Sequence, residues 1–500
     1  MKYLLFSIAL MFVLFSCDKE DSFTTSGSDK LAFSVDTLRF DTIFTQIGSA
    51  TRWFRVYNRA NQSIRISNIS LKGNSQSKFN LNVDGLPGDN HQDVVVYPND
   101  SIYVFAEVTI NPDDPVSVSP FFVYDEVIFE TNGNTQSVTL EAAGQNANYF
   151  PSRWHNDSIA VFSCNGSEVI WDDPKPYVLY GIVGFVDCKL TIPAGARIHV
   201  HGGLARDEDG DIYNTGRLVI SENASINVQG TVENPVIFEG DRTEDELGFD
   251  FKNADGQWTG LIFSRGSKDN VIENAVVKNA RFGIFLDSAA DLSIKNTQVI
   301  NTSGPGLFAY HAQVNAENCL FYNNGTNSVQ LVYGGDYNFD YCTLANYGGD
   351  ASALVMTNGV CDDPDNCNVQ TARTYRLNAL FRNSIIYGSL ADEILLDDLT
   401  FTRGGNRPML NYTFSECIIR ARDINDPDLG FPDFFDWCDC YNASPSDALF
   451  FDINEDDYRL DTLSVAEEQG VPINGIFFDL DGNDRDPQRP DLGCFEYQHN

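Results

Sequence analysis

Ile272-Glu273-Asn274-Ala275-Val276-Val277 returns as Ile294-Lys295-Asn296-Thr297-Gln298-Val299 and again as Ala316-Glu317-Asn318-Cys319-Leu320-Phe321. Asn274, Asn296 and Asn318 are 22 residues apart, and Phe339-Asp340-Tyr341-Cys342-Thr343-Leu344 follows after 23. Phe381-Arg382-Asn383-Ser384-Ile385-Ile386 and Phe414-Ser415-Glu416-Cys417-Ile418-Ile419 continue the series after insertions. A fixed period with short apolar runs and Asn or Gly turns predicts a β-solenoid. Each coil then lies one strand spacing, about 4.8 Å, from the next, and equivalent residues stack. The spacing predicts an Asn ladder through Asn274, Asn296 and Asn318. It also predicts a buried column of small residues through Ala275, Thr297, Cys319, Cys342, Ser384 and Cys417.

Upstream, Leu190-Thr191-Ile192-Pro193-Ala194-Gly195-Ala196-Arg197-Ile198 and Gly256-Gln257-Trp258-Thr259-Gly260-Leu261-Ile262-Phe263 resemble the opening coils of right-handed parallel β-helices of the pectate-lyase-like kind. Asp457-Tyr458-Arg459-Leu460 and Pro490-Asp491-Leu492-Gly493-Cys494-Phe495-Glu496-Tyr497 resemble closing coils. The resemblance implies a β-helix over 150–500.

Residues 30–147 read differently. Trp53-Phe54-Arg55-Val56-Tyr57, Ile102-Tyr103-Val104-Phe105-Ala106 and Val127-Ile128-Phe129-Glu130 alternate as half-buried strands, with Asn and Gly turns between them. Short alternating strands in this number predict a β-sandwich. Phe54-Arg55-Val56-Tyr57-Asn58 and a late strand ending at Gly144 resemble immunoglobulin-like domains of the abnormal-spindle/hydin kind. The expected fold is therefore all-β, an N-terminal immunoglobulin-like β-sandwich followed by a right-handed parallel β-helix. The composition agrees: 36 Phe, 21 Tyr and 45 Asn stand against 4 Met, favouring sheets and left-handed turns over helices.

The N-terminus reads as an address. Lys2 precedes an apolar run from Tyr3 to Phe15, too short to span a bilayer. Leu14-Phe15-Ser16-Cys17 resembles the bacterial lipobox, with a bulkier residue at Phe15 than that motif usually carries. The resemblance implies a signal peptide over 1–16 and acylation of Cys17. Asp18-Lys19-Glu20-Asp21 is similar to the acidic tag of surface lipoproteins in Bacteroidota, and 17–29 reads as a flexible tether. The expected location is the outer membrane, cell-surface exposed, with membrane contact through the lipid only.

The formal net charge of −38 excludes nucleic acid and anionic surfaces as partners. Outside the cytosol disulfides are allowed. Cys361 and Cys367 flank a short loop and are candidates to pair, as are Cys164 and Cys188, whereas Cys438 and Cys440 stand too close for an easy bridge. Asp207, Asp209 and Asp211 set oxygens at alternate positions around Gly210, as in a Ca²⁺ loop, but no acid follows at the twelfth position. Ca²⁺ there is the one cofactor the sequence suggests. Asp479-Leu480-Asp481-Gly482-Asn483 has a similar form with a structural reading. His199 and His201 share one face of a strand, which makes two ligands and not a site.

Carbohydrate-active enzymes on β-helices need clustered carboxylates with a base, or two carboxylates flanking a bond. The acids form no column along the repeated motifs like that of Asn274, Asn296 and Asn318, and Lys278, Arg281 and Lys295 read as solvated strand-end charges, so no catalytic residue is assigned. The sequence therefore favours a non-catalytic protein that binds a glycan or a surface partner, with Tyr333, Tyr337 and Tyr347 as candidates for sugar stacking. The alternative is a polysaccharide lyase or glycoside hydrolase.

Overall fold

Alternation builds the first unit. In Ser101–Val108 every second side chain, Ile102, Val104, Ala106 and Val108, is buried, so one face of the strand must pack against another layer. The computed structural model describes residues 22–44, 51–74, 77–108, 121–145, 147–150, 159–206, 212–242, 245–246, 249–250, 253–361, 371–400, 409–424, 431, 434–436 and 438–498. The chain divides into two compact units, Met1–Asn146 and Ala147–Asn500.

The first unit is a sandwich of two five-stranded sheets. One runs Leu31–Phe33, Arg52–Asn58, Ser101–Val108, Phe79–Val83, Leu86–Pro87, all antiparallel. The other runs Thr37–Phe44, Asn134–Gln145, Phe121–Thr131, Ile64–Leu71, Asn90–Val96, with its first pair parallel. Phe54, Val56, Ile69, Val104 and Phe129 fill the space between them. Asn58 closes the strand that carries the Phe54–Asn58 motif: its amide donates to Val96 O (2.9 Å) and Gln62 O (2.8 Å), and its oxygen accepts from Ala60 N. The described part of the expected tether, residues 22–29, is held against this sandwich. Phe23 bridges to Ser63, Arg65 lies 4.3 Å over its ring, and Asn132 and Asn134 donate to Asp29 O and Gly27 O. Residues 1–21, including Cys17, lie outside the described residues.

The second unit is a parallel β-helix, one continuous 26-stranded sheet wound into three faces. The first face stacks Ala160–Ser163, Ile182–Val186, Arg217–Ile220, Gly260–Phe263, Ile284–Leu286, the start of Leu307–Glu317 and of Val329–Asp340, Leu354–Thr357 and Ile394–Asp397. The second carries Asp291–Lys295, the ends of the two long strands, and Leu377–Arg382. The third runs from Tyr177–Tyr180 through Arg197–His201, Val236–Gly240, Ala275–Lys278, Gln298–Thr302 and Leu320–Asn324 to Ile385–Gly388. The small column is buried as expected, from Ala275 (2% exposed) to Cys417 (1%). Within it Thr297 Oγ1 accepts from Ala275 N, and Ser384 Oγ accepts from Cys342 N.

The Asn ladder is formed for a reason beyond amide bonding. Asn274, Asn296, Asn318, Tyr341, Asn383 and Glu416 all sit at positive φ, between 46° and 53°. Each marks the corner between the second and third faces, a left-handed position that Asn tolerates best among residues with side chains. Asn318 donates to Asn296 Oδ1 (3.0 Å), while Asn274 donates to Gly230 O instead.

Residues 443–498 do not add closing coils. Phe450–Asp452 and Asp457–Leu460 form a separate antiparallel hairpin, and the segment folds back over the third face. Tyr458, Leu480, Cys494 and Phe495 cover Ile300, Leu320, Tyr322 and Ala345. Arg485, buried, donates to Asn318 Oδ1 (2.9 Å) and Gly493 O, pairs with Glu496 (3.2 Å) and lies 3.9 Å over the Tyr341 ring. The repeat hides this because Arg485 lies 167 residues beyond Asn318, in a segment outside the repeat.

Cys164 and Cys188 are bridged across one coil step, Cα atoms 5.0 Å apart. Cys438 and Cys440 are also bridged, against expectation: their Cα atoms are 5.2 Å apart, closer than an extended chain places residues i and i+2. Cys361 is disulfide-bonded, and Cys367 lies outside the described residues.

Candidate functional site

The three faces of the β-helix differ in what they present. The third is covered downstream by the C-terminal segment. The second is polar: Asn378 bonds Asp336 (2.7 Å), Asn411 bonds Asn378 (2.9 Å), and Arg382 pairs with Asp340 (2.7 Å) along the stack.

The first face carries aromatic rings. Ile284 and Leu286 point inward and are fully buried, so Phe285 between them points out. Leu307 and Ala309 place Phe308 outward in the same way. The register sets Ile262, Phe285, Phe308, Gln330, Val355 and Leu395 in one outward column. Phe285 and Phe308 stack with centroids 5.3 Å apart, and Phe282 lies 6.1 Å and 6.3 Å from them. Two residues on, Tyr310 stacks on Tyr333 (4.9 Å), Tyr333 meets Tyr375 edge-on (4.5 Å), and His311 lies 4.7 Å from Tyr375. His311 and Tyr333 both have positive φ at a bulge in the ladder, which turns their rings toward Tyr375. Phe285, Phe308 and Tyr310 are half-buried and Tyr375 is 44% exposed.

Of the tyrosines expected to stack on sugar, Tyr333 is buried beneath Tyr310 and Tyr375, and Tyr337 is buried with its hydroxyl donating to Gly334 O. Tyr347 packs among Tyr387, Phe450 and Tyr458 under the C-terminal segment. The sequence reading missed Phe285 and Phe308, although their 23-residue spacing matched the repeat.

A charged cluster lies upstream on the third face. Glu239 stands beside His199 in register and is 4% exposed; it pairs with Arg197 (2.7 Å) and Lys278 (2.8 Å), with His199 Nδ1 at 3.5 Å. Burial pushes its carboxyl up, but the cationic Lys278 and Arg197 beside it outweigh this and hold it below the ordinary range. Burial depresses His199 to about 4, so it is neutral. His201 is raised instead, by its 2.6 Å bond to Asp241. Lys278, expected as a solvated charge, is thus part of this cluster. Buried and paired with residues of the coils on either side, Glu239 ties those coils together.

Asp207, Asp209 and Asp211 lie outside the described residues. Among the described residues no three His, Cys, Asp or Glu side chains are grouped to hold a metal. Asp479 accepts from Asn483 N, Asn483 Nδ2 and Glu496 N, which makes it a structural brace. No helix among the described residues is long and apolar enough to cross a membrane.

A family model described as a right-handed β-helix region matches residues 211–344. Strand order and this match together define an all-β protein whose second unit is a right-handed parallel β-helix. No curated protein matches the chain. Solved structures give weak likenesses. A protein of unknown function from Porphyromonas gingivalis W83 is 9% identical over 26% of this chain, at a TM-score of 0.18, and the match spans 50% of that chain. PapD-like domain 7 of human CEP192 is 12% identical over 26% of this chain and 94% of its own, at 0.17. A family 123 glycoside hydrolase from Clostridium perfringens is 6% identical over 46% of this chain and 62% of its own, at 0.18.

Proposed function

We propose that this chain is a cell-surface lipoprotein of the Bacteroidota type, anchored in the outer membrane through acylated Cys17, that binds a neutral glycan without cleaving it. The sandwich, of the abnormal-spindle/hydin-like kind, acts as the spacer, and the first face of the β-helix is the binding surface. One observation carries the reading: Phe285 and Phe308 stack on the outside of the sheet, where core packing does not require them. Flat aromatic rings offer apolar area at little entropic cost, and the C–H face of a sugar ring is their natural complement. A charge of −38 disfavours acidic glycans. The enzyme alternative lacks support from Glu239, whose charge is spent on fixed partners.

The test is a glycan-array screen of the purified full chain, with reducing-end and unsaturated-product assays run in parallel. Binding of neutral glycans without product is the expected result. Product formation would transfer the protein to the lyases or hydrolases.

A further inference from the structure

The hairpin of the C-terminal segment has two sides with opposite uses. Phe450 points inward onto Tyr347 and Tyr458, at 6.4 Å and 5.3 Å. Its neighbour Phe451 points out and is 65% exposed. A cleft of about 470 Å³ opens on one side of Phe451, lined also by Arg459, Asp481, Asn483 and Tyr497. A second cleft of about 330 Å³ opens on the other, lined by Tyr387, Arg420 and Asn454. These are volumes in the range that holds small ligands.

Both clefts have a pre-set guanidinium. Arg459 is gripped by Asp481 (2.7 Å) and Asp457 (3.2 Å). Arg420 donates to Gly388 O and lies 5.3 Å over the Tyr387 ring. Held in this way, each arginine loses little freedom when it donates to a ligand. The hairpin itself is fixed to the β-helix, since Asn323 donates to Asp456 (2.7 Å).

We infer that the two clefts flanking Phe451 form a second glycan-binding site, which takes a short run of neutral sugar rings across the exposed phenyl face. The inference rests on the glycan-binding reading above and adds a separate site to it. Rigid donors and acceptors on both sides of one exposed ring suit hydroxyl groups around a sugar's C–H face. Each cleft carries three carboxylates against one arginine, which rejects uronic acids and sulfated sugars.

The experiment is calorimetric titration of neutral gluco-, manno- and xylo-oligosaccharides into the full chain carrying Phe308→Ala, which weakens the first face. Phe451→Ala on this background should reduce the remaining affinity about tenfold or more, as loss of a stacking ring predicts. Phe451→Trp should retain it. An unchanged denaturation midpoint confirms that each variant folds. Residual binding indifferent to Phe451 overturns the inference and leaves the first-face reading intact. Binding by the unmodified chain that vanishes in Phe308→Ala also overturns it. Absence of neutral-sugar binding in every form removes both. Uronate oligosaccharides or a lysine-rich peptide bound through Phe451 would contradict the ligand class.

Discussion

Phe308 lies directly above Phe285 in the next coil, ring centroids 5.3 Å apart and planes within 3° of parallel. This follows from in-register parallel pairing, which stacks like on like at one strand spacing. Their neighbours on either side, Ile284, Leu286, Leu307 and Ala309, are fully buried, so the pleat forces the two phenylalanines outward. Both rings stay half-buried on the outer side of the sheet, each covering part of the other.

In-register stacking also makes a stability prediction at the corner between the second and third faces. Thr297, fully buried in the small column, should not accept Trp; overpacking costs about 1–3 kcal/mol. Asn296→Leu places a bulky residue at φ 46° and removes the acceptor for the Asn318 amide, costing about 1–3 kcal/mol. Asn296→Gly should be milder, and Glu233→Ala, on an exposed turn, should stay within about 0.5 kcal/mol. Chemical denaturation of the full chain reads all four. Equal midpoints would show that these positions do not stack.

The coil repeat was legible because a solenoid writes its geometry locally: Asn274, Asn296 and Asn318 recur wherever the backbone must turn left-handed. The candidate site was harder to read. Ile284-Phe285-Leu286 is apolar throughout, so no alternation tells which side chain faces out. The C-terminal fold-back was illegible, because Arg485 meets Asn318 only through tertiary packing. His199 and His201 were noticed, yet their partners Glu239 and Asp241 lie about one coil and an insertion downstream, where linear spacing carries no signal.

Those two histidines should titrate on opposite sides of their ordinary value. His199 is depressed to about 4 by burial, so its contribution to stability is present above the unfolded value of 6.5 and is lost as pH falls toward 4. His201 is raised by Asp241; its contribution is complete below 6.5 and is lost as pH rises through its folded value. Imidazole NMR titration resolves them, with His201→Gln and His199→Gln for assignment. Two coincident curves near 6.5 would refute the described environments.

Anchoring gives a cellular prediction. Cys17→Ala should move the protein from the membrane fraction to a soluble one and abolish acyl mass on the mature N-terminus. Continued membrane association with no acyl group on wild-type Cys17 would defeat the lipoprotein reading.

The most direct test of the binding reading is the affinity of Phe285→Ala and Phe308→Ala, singly and together, for the neutral oligosaccharide that the unmodified chain binds best. Calorimetry should show about tenfold weaker binding for each ring removed, little change with salt, restoration in Phe308→Trp, and unaltered folding. Equal affinity in the unmodified chain and the double variant would contradict the assignment of this face.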